Sequence, residues 1–204
     1  GLPASATNYP SFTALATELN ACGISGPLTV NVAAGTYNEQ VMFNEVPGTS
    51  TLNTITIDGG GLATISYDGS NTDNATIRLA GTDHMTIKNL TIDNTESSTY
   101  GWGVHLSNAA DSNTIDNCII NLDKISTLGT FAGVISSSSN TSTSGYGNNS
   151  NYTMVSNTTV NGGYYGVRFN GTSTSTPDNT NNAIVNCTFT EMRYYPIYFI
   201  YQDG

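Results

Sequence analysis

The 204-residue sequence predicts an all-β fold, a right-handed parallel β-helix of about six coils with three short strands each and a helical cap at the N-terminus. Three observations predict it. Apolar residues come in brief beats, as in GVHLSNAADSNTIDNCIINL (103–122), each cut off by Ser, Asn or Asp before a helix could form. One pattern recurs as ATIRL (75–79), WGVHL (102–106), AGVIS (132–136), YGVRF (165–169) and YPIYF (195–199). Its spacings are 27, 30, 33 and 30 residues, counted from Ile77 through Val104, Val134 and Val167 to Ile197. An asparagine also stands at one place in each repeat, at Asn89, Asn117, Asn157 and Asn186.

Residues 1–26 form the capping segment. SFTALATELNACG (11–23) sets Phe12, Leu15, Ala16 and Leu19 at helical spacing, with Ser11 as N-cap and Gly23 as the stop. Laid across the first coil, this helix would shield open strand edges that otherwise invite aggregation. The solenoid occupies 27–204, opening with PLTVNVAAGTYNEQVMF (27–43) and NTITIDGGGLATISYD (53–68). Each later coil pairs one first-strand motif with a polar turn and a second run: HMTIKNLTID (84–93), SNTIDNCIIN (112–121), YTMVSNTTVN (152–161) and NAIVNCTFT (182–190).

Strand alternation sends every second side chain inward. Stacking then predicts three interior columns: Ile77/Val104/Val134/Val167/Ile197, Ile87/Ile115/Val155/Val185 and Ile92/Ile120/Val160/Phe189. Asn89, Asn117, Asn157 and Asn186 fall between the second and third strands, where a left-handed residue turns the chain and amides bond along the stack. Cys118 and Cys187 share an inward column with Leu90 and Thr158. Two coils apart, at about 9.6 Å, they lie beyond disulfide reach and read as small buried hydrophobes. The chain ends in a first strand, PIYFIYQDG, which leaves Ile197 and Phe199 for further coils or another molecule to cover.

Composition restricts function. With 15 acidic and 5 basic residues and a net charge of −10, the chain cannot neutralise a run of phosphates, so nucleic acid is not an expected partner. No stretch is long enough for a membrane-inserted helix, and GLPASATNYP carries no leader-like apolar region. Low Lys with heavy Thr and Asn fits a secreted bacterial cell-surface protein. No metal site is expected, because His84 and His105 fall on different strands.

The GV(H/R)(L/F)…N-T-I-x-N-x-x-I pattern, with VNVAAGTYNEQVMF and ITIDGGG before it, resembles the pectin-lyase-like parallel β-helix superfamily. The whole segment is also similar to β-helix regions of large secreted bacterial surface proteins. Catalysis in that superfamily sits on the outer face of the first strands, which here would carry Arg78, His105, Ile135, Arg168 and Tyr198. None is a carboxylate, so no catalytic residue is assigned. Asn71-Thr72-Asp73 matches a polygalacturonase tripeptide in letters alone. No cofactor is expected, although a lyase would call for calcium. The candidate ligand-binding residues are an outward aromatic column, Phe131, Tyr164 and Tyr194, with His105, Arg168 and Tyr198 beside it as hydrogen-bonding groups. Trp102, Ala132, Tyr165 and Tyr195 alternate with that column, and two loops, 136–151 and 170–182, would wall a groove along its edge. Asp58, Lys88 and Asp116 should stack as a surface charge ladder. The expected function is a non-catalytic module for adhesion or binding of a polysaccharide or cell-surface glycan. The alternatives are a lyase or hydrolase of the pectin-lyase-like class and a purely structural stalk.

Overall fold

The computed structural model describes residues 8–95, 99–172 and 179–203. In chain order, the elements of the first coils are α1 (Phe12–Cys22), β1 (Leu28–Asn31), β2 (Gly35–Asn38), β3 (Val41–Asn44), β4 (Ile55–Ser66), β5 (Ala75–Ala80) and β6 (Met85–Asn94). Then follow β7 (Gly101–Ser107), β8 (Thr114–Asp116), β9 (Ile119–Leu122), β10 (Phe131–Ser136), β11 (Met154–Ser156) and β12 (Thr159–Asn161). The last coils add β13 (Tyr165–Asn170), β14 (Ala183–Val185), β15 (Thr188–Thr190) and β16 (Tyr195–Ile200).

These strands form a parallel β-solenoid of about six turns. One wall is the six-stranded sheet β3-β5-β7-β10-β13-β16, parallel throughout. The rest is a ten-stranded sheet with two tracks, β1-β4-β6-β8-β11-β14 and β2-β4-β6-β9-β12-β15. β4 and β6 run through both tracks, so two coils have one long strand where two short ones are expected.

The helix forms as the sequence predicts. Ser11 Oγ accepts from Ala14 N at 3.0 Å, Gly23 terminates it at φ 68°, and Phe12, Leu15, Ala16 and Leu19 are buried. Two polar side chains fasten it to the first coil. The Glu39 carboxylate accepts from Phe12 N and Thr13 N, both at 2.8 Å, which sets a negative charge at the positive end of the helix dipole. Asn20 stands in for a missing strand: its Nδ2 donates to Met42 O at 3.2 Å and its Oδ1 accepts from Asn44 N at 2.9 Å. These two bonds satisfy part of the β3 edge.

Two of the predicted interior columns follow the expected register, and the third is corrected by one residue. β14 pairs with β11 so that Ile184, not Val185, lies against Val155, while Val185 faces outward. The cause is the asparagine turn. Asn186 repeats the conformation of Asn157, and counting back from it puts Ile184 on the inner face. Cys118 is buried, and burial pushes its thiol up to about 12. Cys187, in the last coil, is only partly covered. All three cysteines are free.

All four ladder asparagines are left-handed, with φ between 49° and 54°. Asn117 Nδ2 donates to Asn89 Oδ1 at 2.7 Å, and Asn89 Nδ2 donates to Asp58 Oδ1 at 2.8 Å. Asn157 departs from the column and donates to Asp116 Oδ1 at 2.8 Å. The ladder lies at the surface: Asn117, Asn157 and Asn186 are exposed. A second set of amides, inside the turns, did not stand out in the sequence. Asn113 Oδ1 accepts from Met85 N while its Nδ2 donates to Thr82 O, and Asn182 does the same for Thr153 N and Ser150 O.

Candidate functional site

The outer face of the six-stranded sheet is where ligand contacts are expected. Arg78, His105, Ile135, Arg168 and Tyr198 do stand in register across it. They do not face open solvent. Together with Ala75, Trp102, Ala132 and Tyr165 on the same face, Ile135 belongs to a second apolar cluster, separate from the solenoid interior.

Glycines decide which side chains share this face. A Cβ on Gly103 would meet Ile120 Cγ2 at 2.5 Å, one on Gly133 would meet Val160 Cγ1 at 2.6 Å, and one on Gly166 would meet the Phe189 ring at 2.5 Å. These three positions therefore turn inward beside Val104, Val134 and Val167, two interior positions in succession. That break in alternation puts Trp102, Ala132 and Tyr165 on the outer face with His105, Ile135 and Arg168. Phe131, expected on an exposed column, is fully buried, and a Cβ on Gly101 would lie 2.9 Å from its ring.

The loop after β10 covers this face instead of walling a groove beside it. Its backbone carbonyls meet polar groups from three coils. Asn140 O accepts from Asn74 N at 3.2 Å, Ser137 O from His105 Nε2 at 2.8 Å, and Thr143 O from Asn170 Nδ2 at 2.9 Å. Side chains add Asn140 Oδ1 to Arg78 Nη2 at 2.5 Å and Ser144 Oγ to Arg168 Nη2 at 3.0 Å. Of the second loop, 170–182, residues 173–178 lie outside the described residues.

His105 is consequently out of reach of a ligand. Because a carbonyl only accepts, its Nε2 carries the proton, while Nδ1 is buried and unpaired and the ring meets Trp102 edge-on at 5.0 Å. Burial lowers its pKa to about 4, so the ring is neutral in the fold. Arg78 is held by Asp73 at 2.7 Å, which assigns the Asn71-Thr72-Asp73 tripeptide a structural partner. Asp58, Lys88 and Asp116 stack as expected: Lys88 Nζ lies 3.1 Å from Asp58 Oδ2, and Asp116 accepts from Ser156 Oγ at 2.6 Å. The amide of Asn89, with Gly60 N and Lys88 behind it, holds the Asp58 carboxyl below its usual range.

What remains accessible is the C-terminal end of this wall. Tyr164 stacks on Tyr194 at 4.5 Å and Tyr165 on Tyr195 at 5.7 Å, with interplanar angles of 27° and 13°. Arg168 lies between rings, its guanidinium carbon 4.5 Å from the Tyr165 centroid and 4.9 Å from that of Tyr198. Its Nε donates to Asn170 Oδ1 at 3.0 Å, so it is nearly enclosed and rigid. Tyr194 is 57% and Tyr195 43% exposed. The structure thus gathers Tyr164, Tyr194, Arg168 and Tyr198 into one cluster and separates Phe131 and His105 from it by burial. Tyr165 and Tyr195, expected only as neighbours, belong to the cluster.

Among the described residues no three His, Cys, Asp or Glu side chains converge as a metal site would require, and no helix is long and apolar enough to cross a membrane. The chain matches no known family, characterised protein or solved structure. The likeness to pectin-lyase-like proteins therefore stands at the level of the parallel β-solenoid.

Proposed function

We propose that this β-solenoid is a non-catalytic module for adhesion or glycan binding, with the cluster Tyr164, Tyr194, Tyr195 and Tyr198 as its contact surface. The observation that carries the reading is the stacked tyrosine cluster, in which Tyr194 and Tyr195 are exposed while Arg168 is clamped against Tyr165 and Tyr198. Flat rings held by stacking offer apolar faces to a sugar ring, and their hydroxyls offer hydrogen bonds at little conformational cost. With a net charge of −10 and five basic residues, the surface suits uncharged sugars better than polyanionic ones. The setting that fits is a secreted bacterial surface protein of pectin-lyase-like architecture.

The same stacking favours a second reading, in which the rings cover one another and the module is a stalk. One pair of measurements separates the two. If the rings bind sugar, Tyr194→Ala should weaken retention on an insoluble polysaccharide and leave the melting temperature nearly unchanged. A variant that melts lower in proportion to any lost retention assigns the rings to the stalk.

A further inference from the structure

The third strand track, β2-β4-β6-β9-β12-β15, presents its own outward surface on a different sheet from the one that the covering loop crosses. Thr36, Thr64, Thr91, Thr159 and Thr188 stand in one column, in unbroken register, with Ile119 at the remaining position. They alternate with the interior side chains Ile65, Ile92, Ile120 and Val160, so they face outward. None of the five hydroxyls bonds to another described residue. Two residues further along each strand runs a second polar column. Within it Asn161 Nδ2 donates to Asn121 Oδ1 at 2.9 Å, and the Thr190 hydroxyl donates to Asn161 Oδ1. Asp93 is the sole charge in the two columns.

The result is a two-dimensional lattice of hydroxyl, methyl and amide groups, repeating at about 4.8 Å across strands and about 6.7 Å along them. Most ligand classes have no purchase on it. A small molecule needs a concavity, a polyanion needs cations, and a protein partner needs large anchoring side chains at the centre of the patch. A surface that is itself periodic does match. Oxygen rows in the planes of hexagonal ice repeat near both spacings. β-Branched threonines are restricted at χ1, so their hydroxyls and methyls are already ordered before binding. We infer that this face binds crystalline ice, through water held in register with the threonine column.

The test uses the chain as it is. Partition into a slowly growing ice front and inhibition of ice recrystallisation are measured for the wild type, Thr91→Tyr, Thr159→Tyr and the double variant, with thermal melting to confirm folding. The wild type should enter the ice and hold crystals small. Each bulky ring should reduce both effects and the pair should abolish them, whereas Tyr194→Ala, on another face, should leave both intact whatever it does to glycan retention. Exclusion of the wild-type protein from ice overturns the inference, as does a folded double variant that still enters it. Loss of binding to crystalline cellulose or chitin in the threonine variants, with no effect on ice, would reassign the face to a crystalline polysaccharide.

Discussion

Lowering the pH should destabilise the solenoid through His105. The ring is fully buried, donates its single proton to Ser137 O and has an unpaired Nδ1 that cannot take a second proton without burying a charge. Its pKa is about 4 in the fold against 6.5 for the free side chain, lowered first by burial and further by the Arg78 charge, against the opposing pull of the Ser137 carbonyl. The sign follows from proton counts. Between those two values the unfolded chain binds more protons than the folded one, so stability is fully present above pH 6.5 and is lost as pH falls toward 4. Linkage puts the loss at about 2 kcal/mol between pH 7.5 and 5. The Asp58 carboxyl, held below its usual range, also titrates in acid, so the assay is a difference: urea unfolding of the wild type and His105→Gln at both pH values. Glutamine keeps an N–H for Ser137 O but gains no proton. The variant should lack about 2 kcal/mol of the wild-type pH dependence. Identical pH slopes would refute the argument and mean that water or a second acceptor reaches Nδ1.

Asn117→Ala should cost about 1–2 kcal/mol in urea unfolding, because alanine is strained at φ 49° and the bond to Asn89 is lost; Asn117→Gly should recover the conformational part. Gly133→Ala should cost about 1–3 kcal/mol or block folding, since its Cβ would lie 2.6 Å from both Gly166 O and Val160 Cγ1. Maleimide at neutral pH should label exposed Cys22 in the native protein and reach Cys118 only after unfolding, and mass mapping of the adducts checks this.

The interior was legible because strand alternation and the repeat spacing are both written in the order of residues. Val134, Val155 and Ile120 fall where that order puts them, and so does the helix with its Ser11 and Gly23 ends. The one-residue slip at Val185 came from counting apolar letters in NAIVN, where the asparagine turn is the firmer reference. The site was less legible for two physical reasons. Gly103, Gly133 and Gly166 interrupt the alternation, which changes the partners of Trp102 and Tyr165 and removes Phe131 from the surface. The loop that buries His105 does so largely with main-chain carbonyls, which Ser-, Thr- and Asn-rich segments share whether they cover a face or wave in solvent. The threonine column was present in the letters but had no meaning until register showed that its members align.

In an ordinary solenoid each repeat touches only the next, and the whole unravels like a stack of coins taken from one end. The segment following β10 breaks that rule. It is tied to Arg78 on β5, to His105 on β7 and to Arg168 on β13, so it links strands that are not neighbours. A tear running inward past β13 would meet a cross-tie at Arg168, and advancing beyond it means releasing anchor points two and three turns further in. The coils from β5 to β13 should therefore open as a single cooperative block.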